Sequence, residues 1–326
     1  TRIEVVTEGI LTRMIQSDPS LDGVGCVIFD EFHERSVHAD LGLALVHECR
    51  AALREDLKLV VMSATLDAAP IAALLGDAPL VRAEGQSWPV ETIWLNRPWA
   101  DPARPGRQRL EPAVAASVHQ ALSETSGSVL VFLPGAGEIN RLEGLLKGNV
   151  GPETEVLPLY GAMSFAAQKA ALRPAPKGKR RVVLATSIAE TSLTIPDVAA
   201  VVDAGRSRRP RFDPQSGMTR LSTERVTKAE ATQRKGRAGR VGPGRCYRLW
   251  TRGEQGALLA FPPAEIEAAD LTALALELAL WGAAPSDLSF LTQPPVGALG
   301  EAQSLLQMLG ALDAQGRITA HGRALA

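Results

Sequence analysis

Val24-Gly25-Cys26-Val27-Ile28-Phe29-Asp30-Glu31-Phe32-His33-Glu34-Arg35-Ser36 is an apolar run that ends abruptly in two adjacent carboxylates, a histidine and a charged pair. The run from Val24 to Phe29 shows no polar alternation, which predicts a strand buried on both faces of a parallel sheet. Asp30 and Glu31 then fall at its carboxyl end, where open α/β sheets place their ligands. One carboxylate there can hold Mg²⁺, largely through water, while its neighbour orients or deprotonates an attacking water. Two solvated acids in a loop would look the same in isolation. The rest of the chain decides.

Outward from this stretch, helix and strand alternate. Thr7-Glu8-Gly9-Ile10-Leu11 opens a short helix that Asp18-Pro19 stops near Ser17. Leu41, Leu45, Val46 and Cys49 mark a helix from about Ala39 to Arg54. The next strand, Leu57 to Met62, runs into Ser63-Ala64-Thr65, a second polar cluster at a strand end. Residues 1–83 therefore read as the later part of an α/β domain. Residues 84–110 read as a connecting strand, Val90 to Leu95, and a linker from Pro98 to Arg107 broken by Pro102 and Pro105. Trp88, Trp94 and Trp99 fit packed boundary aromatics better than base-stacking ones.

A second α/β domain is expected over 111–256. Its strand candidates are Ser128 to Leu133, Glu155 to Leu159, Arg181 to Ala185, Ala199 to Val202 and Arg245 to Trp250. Several end in polar or glycine-bearing turns: Pro134-Gly135, Tyr160-Gly161, Thr186-Ser187 and Asp203-Ala204-Gly205. Such ends form a rim that faces a ligand. Arg234, Arg237 and Arg240 recur every three residues, so on a helical turn they share roughly one face and suit bidentate phosphate contacts. The glycines between them imply close approach to something. Beyond Pro262-Pro263, the apolar helices Ala264 to Trp281 and Ala298 to Leu309 predict a helical module, 257–326, packed on the second α/β domain.

Bulk properties set limits. Across 326 residues, 45% hydrophobic and 22% charged content suits globular domains with sizeable cores. A formal net charge of −1 means that a polyanion would have to meet local basic stretches, such as Lys177 to Arg181 or Arg206 to Arg211. Cys26, Cys49 and Cys246 show no metal-ligand spacing, and a reducing compartment fits them. No run of about 18 apolar residues predicts a membrane span. Neither terminus looks like the edge of a domain, so the chain reads as a piece of something longer.

Together these motifs resemble the DEAH/DExH-box helicases of superfamily 2, in their bacterial HrpB-type branch. The resemblance covers essentially the whole chain. It rests on Thr7-Glu8-Gly9 (motif Ib), Asp30-Glu31-Phe32-His33 (motif II, with Phe32 where Ala is usual) and Ser63-Ala64-Thr65 (motif III). It continues in Phe132-Leu133-Pro134-Gly135 (motif IV), Ala185 to Ile195 (motif V) and Gln233 to Arg240 (motif VI). The resemblance implies two RecA-like parallel-sheet domains, the first incomplete, followed by a winged-helix/ratchet-like module. It implies an ATP-dependent motor that translocates on single strands and unwinds duplexes, 3′ to 5′, with RNA favoured, DNA possible and a cytoplasmic location.

The resemblance also implies residue roles. Asp30 holds Mg²⁺, Glu31 positions and activates water, and His33 links nucleotide state to the second domain. Ser63 and Thr65 relay that coupling, and Ser192 and Thr194 join the ATP site. Arg237 and Arg240 act as arginine fingers with Gln233 beside them. Thr7, Gly9, Gly135, Thr186 and Ser187 grip a sugar-phosphate backbone, without sequence information. Three departures qualify this. No Gly-x-x-x-x-Gly-Lys-Ser/Thr phosphate loop occurs, so the chain alone is expected to be inactive as an ATPase. Ile195-Pro196-Asp197 replaces the Ile-Asp-Gly of many relatives, so no ribose contact is carried over to Asp197. Leu172 stands where relatives often carry a base-stacking aromatic, which implies loose base selectivity. A nucleotide-dead RNA-binding or scaffold module and a DNA translocase of the same superfamily are the alternatives.

Overall fold

A computed structural model gives the fold and describes residues 2–64, 68–83, 85, 87–99, 109–190, 195–213 and 216–326. The strands are β1 (Cys26–Phe29), β2 (Lys58–Val61), β3 (Val90–Trp94), β4 (Ser128–Phe132), β5 (Thr154–Leu159), β6 (Arg180–Ala185), β7 (Val198–Asp203), β8 (Arg206–Asp213), β9 (Met218–Arg225) and β10 (Gly244–Arg248). The helices are α1 (Glu8–Ser17), α2 (Val37–Ala52), α3 (Ala68–Leu74), α4 (Leu110–Glu124), α5 (Ala136–Leu146), α6 (Phe165–Ala171), α7 (Lys228–Gly236), α8 (Arg252–Gly256), α9 (Thr272–Trp281), α10 (Val296–Met308) and α11 (Ala320–Leu325). They fall into two compact units. One comprises Thr1–Arg82, Pro210–Arg220 and Pro263–Ala326, the other Ala83–Arg209 and Leu221–Pro262.

The second unit carries a six-stranded sheet in the order β3-β10-β7-β4-β6-β5, every neighbouring pair parallel. Its central strand, Ser-Val-Leu-Val-Phe, is buried at every position because helices or loops cover both faces. Alternate side chains go to opposite cores. Val129, Val131, Val182, Leu184 and Val202 meet Val118 of α4 and Ile139 and Leu142 of α5. Leu130, Phe132, Val183 and Val201 meet Leu159, Ala171 and Ala238 on the other side.

Backbone bonds join the carboxyl ends of this sheet into a continuous rim. Leu133 donates to the Ala185 carbonyl (2.8 Å), Thr186 to Leu159 (3.2 Å), Ala204 to Phe132 (3.1 Å) and Leu249 to Asp203 (3.0 Å). Gly135, Thr186 and Asp203 therefore belong to one edge.

The first unit pairs β1 and β2 in parallel, Ile28 opposite Val60. Val27 and Phe29 pack into the core with Leu41, Leu45 and Cys49 of α2. The other face is bare: Ile28 is 57% exposed, and Val60 and Met62 are exposed beside it. The expectation of a strand buried on both faces is thus corrected: among the described residues, α2 and its neighbours cover one face of the pair.

The helical module packs into the first unit. Its residues Ile266, Leu274, Leu278, Leu299 and Leu306 share the core of the first unit, with Leu41, Leu45 and Phe29. It was expected on the second α/β domain. Polar ties fix the docking: Trp281 Nε1 donates to Glu48 (2.7 Å), the Val37 amide to Glu265 (2.9 Å), and Arg35 to Thr292 Oγ1 (2.9 Å). Helix α9 starts at Thr272, after a 3-10 turn over Glu265–Glu267, so the long helix expected from Ala264 is two shorter pieces. The ribbon β8–β9 was not anticipated; its first strand was read as a basic stretch.

Candidate functional site

The carboxylates in the first unit are held by an unusual backbone. Glu31 has φ +49° and Arg35 φ +51°, both left-handed, on either side of a 3-10 turn over Phe32–Glu34. Such conformations in residues with a Cβ persist only where the surroundings impose them. Here they do. The Phe32 amide donates to the Met62 carbonyl (3.0 Å) and the Met62 amide to Phe29 (2.8 Å), so the turn is stitched to the end of β2 beside Ser63. Phe32 is fully buried, edge-on to Phe29 with ring centres 6.1 Å apart. The Arg35 guanidinium lies over the Phe32 ring and makes a bidentate pair with buried Asp40, both bonds 3.0 Å. Burial raises the Asp40 carboxyl and the Arg35 charge pulls it back.

The anchoring leaves the acids accessible. Asp30 is exposed and Glu31 half-exposed. Asp30 Oδ1 accepts the Glu31 amide at 2.8 Å, and Glu31 Oε2 lies 3.4 Å from Nδ1 of buried His33. Two exposed carboxylates suit a magnesium ion that takes one or two protein oxygens and completes its shell with water and phosphate. Among the described residues no group of three or more acidic, histidine or cysteine ligands would hold a metal by itself. Thr7 starts α1 without using its hydroxyl as a cap, Gly9 lies on open space, and Ser63 is exposed.

In the second unit, the rim carries the remaining candidates. Thr186 is half-buried and Ser187 exposed, at the start of a 3-10 turn. Gly135 caps α5 and is covered: a Cβ there would lie 2.5 Å from Nη1 of Arg208, which bonds Glu138. Thr65, Ser192 and Thr194 lie outside the described residues. Asp197, in a left-handed turn, accepts the Ser128 amide at the amino end of the sheet, opposite the rim. Leu172 closes α6 and packs half-buried against the core.

The arginine triplet is split: Arg234 and Arg237 both turn inward onto Glu190, and Arg240 faces solvent. Gln233 is half-buried and Arg240 exposed, whereas Arg237 is 6% and Arg234 1% exposed. Helix α7 stops at Gly236, and Arg237–Gly239 tightens into a 3-10 turn. Arg234 donates Nε to Glu190 (2.7 Å) and Nη1 to Asp203 (2.8 Å), and its guanidinium lies over the Phe132 ring. Arg237 donates to the Glu190 carbonyl. The close approach that the glycines implied is internal at Gly239, whose Cβ would meet the Trp88 carbonyl oxygen at 2.7 Å.

The sequence and the fold match known proteins. A family model described as the helicase conserved C-terminal domain fits residues 113–242. The ATP-dependent RNA helicase HrpB of Escherichia coli (strain K12) is 50% identical over 327 residues, which cover all of this chain and 39% of that protein. A solved structure of the Escherichia coli DEAH/RHA helicase HrpB superposes with a TM-score of 0.91 over 99% of this chain and 40% of that one. The chain belongs to the DEAH/RHA helicases. The pre-mRNA-splicing factor ATP-dependent RNA helicase prp22 of Schizosaccharomyces pombe is 38% identical, over all of this chain and 28% of that protein. The chain thus spans about two-fifths or less of the length of these relatives.

Within this DEAH/RHA chain, the sheet of the second unit is RecA-like. Sequence reasoning missed the buried charges that hold the motifs in place: Glu190, Asp203 and Arg234 here, Arg35 and Asp40 in the first unit. Glu190 lay inside the quoted motif V and Arg234 inside motif VI. Their signal was a charged residue in an otherwise apolar or small-residue setting.

Proposed function

We propose that the chain is part of an ATP-driven RNA helicase that moves 3′ to 5′ on a single strand and separates duplexes. The observation that carries this is the Asp30–Glu31 pair, fixed at a strand end by a backbone that the core imposes and left open to solvent. Asp30 would hold Mg²⁺, which supplies charge neutralisation of the nucleotide phosphates when bound. Glu31 orients the attacking water and takes its proton, with His33 Nδ1 3.4 Å from its carboxylate. Arg237 and Arg240 supply cationic charge to the transferring phosphoryl group. Ser63 and Thr65 respond to the hydrolysed state. Thr7, Thr186 and Ser187 hold the strand by its backbone, which leaves recognition independent of base sequence.

Nucleotide hydrolysis tests this, measured with and without single-stranded RNA or DNA. It should be compared between the 326-residue chain and the full-length protein. The full-length protein should hydrolyse ATP in an RNA-stimulated manner and lose about 10²-fold or more with Glu31→Gln; the chain alone should be inactive. Hydrolysis by the chain alone would refute the requirement for a phosphate loop. Stronger stimulation by DNA would make the protein a DNA translocase, and a full-length protein without hydrolysis would make it a binding module.

A further inference from the structure

Thr186 and Ser187 begin a turn whose last residue is Glu190. The Ala189 amide donates to the Thr186 carbonyl (3.3 Å) and the Glu190 amide to Ser187 (2.8 Å). Glu190 is buried and serves two arginines. Its carboxylate accepts Arg234 Nε, and its carbonyl accepts Arg237. Arg234 is anchored independently, by Asp203, by the Arg206 carbonyl (3.2 Å) and by the Phe132 ring at 5.0 Å. We propose that Glu190 is a positioning residue that ties the Thr186–Ser187 turn to Arg237, so that a strand seated on the turn alters how Arg237 is presented to nucleotide. The proposal rests on the motor reading above and adds to it the residue that links the two ligands.

The charges around Glu190 make this tie responsive. The Arg234 guanidinium faces both Glu190 and Asp203, and Asp203 Oδ2 has no hydrogen-bond partner among the described residues. Glu230, the third acid nearby, is already engaged by Arg209 (2.6 Å) and by Thr227 (2.8 Å). Arg237 is the arginine that the turn itself holds, through the Glu190 carbonyl. Because Arg234 is held from three other directions, a shift of the turn has to be absorbed at Glu190. It then either moves Arg237 with it or breaks that bond. A buried charge arrangement of this kind has discrete states, which lets a small displacement couple two sites. Burial pushes the Glu190 carboxyl up to about 7, against the pull of Arg234 and with further push from Glu230 and Asp203. Glu190→Gln is thus close to a form that the native chain already visits.

The test uses the full-length protein and two readouts. With Glu190→Gln, basal ATP hydrolysis should stay within about twofold while the stimulation by saturating single-stranded RNA falls about 10-fold, a loss of coupling rather than of chemistry. On the 326-residue chain, hydrogen exchange should accelerate at residues 186–190 and stay unchanged in β4, β6 and β7. A parallel fall of basal and stimulated rates would overturn the proposal, and so would unchanged exchange at 186–190. If the wild-type protein hydrolyses no nucleotide, the motor reading fails and the exchange result alone decides the tie. Should Glu190→Gln not fold, Arg234→Lys carries the same two readouts, since it keeps the charge and removes the Nε donor.

Discussion

Glu190 shows what a single side chain does when folding takes it out of water. Its carboxyl rises to about 7 because desolvation outweighs the attraction of Arg234. The folded value lies above the unfolded one, so folding takes up a proton. The stability that follows is fully present at pH below the unfolded value and is lost as pH rises through about 7. Urea unfolding of the chain between pH 5.5 and pH 8.5 (roughly the span in which the group titrates) should show stability decreasing, and Glu190→Gln should flatten that slope. An identical slope in the variant would assign the pH dependence to other groups. Arg234 is the counterpart: burial disfavours its charge, but Glu190, Asp203 and Glu230 together more than restore it, and it stays ionised throughout. Charge in this cluster changes at the acid, not at the arginine.

At the scale of elements, the turn after α7 separates two glycines that look alike in sequence. Gly236 has helical φ −58° and open space around its missing Cβ. Gly239 is pressed against the backbone ahead of β3, where a Cβ would meet Trp88 O at 2.7 Å and Val90 Cγ2 at 2.8 Å. Gly236→Ala should stabilise the chain by about 0.5 kcal/mol through the unfolded state, and Gly239→Ala should destabilise it by about 1–3 kcal/mol through overpacking. Thermal unfolding of both variants decides, and equal effects would refute the distinction. β4, β6 and β7 were legible because strands covered on both faces are written as unbroken apolar runs. β8 was not, because Pro210 and four arginines hide a ribbon that lies outside the main sheet. The acids at the end of β1 were legible from their position. The burial of Arg234 was not, since its partners Glu190 and Asp203 lie 44 and 31 residues away and spacing cannot report them. Nor could α9, apolar but for Thr272 and Glu277, say which core would receive it.

For the molecule as a whole, surface matters as much as core. Ile28 and Val60 are register partners on the uncovered face of the first unit, with exposed Met62 beside them. In the same unit, Val296 and Met308 of α10 are more than four-fifths exposed. Contiguous apolar surface of this kind drives association, and a net charge of −1 offers almost no electrostatic repulsion against it. The 326-residue chain should therefore self-associate at micromolar concentration and bind a hydrophobic dye while folded. Ile28→Lys with Met62→Lys should reduce both. The pair should leave thermal stability nearly unchanged, because neither side chain is buried and the bonds that stitch the carboxylate turn to β2 use the Met62 backbone. Sedimentation velocity across a concentration series provides the measurement. If the double variant associates as strongly as the parent, the contact lies elsewhere, and the α10 surface is the next to charge. If it instead unfolds, the bare face of β1–β2 is part of the stability of the first unit rather than a surface waiting to be covered.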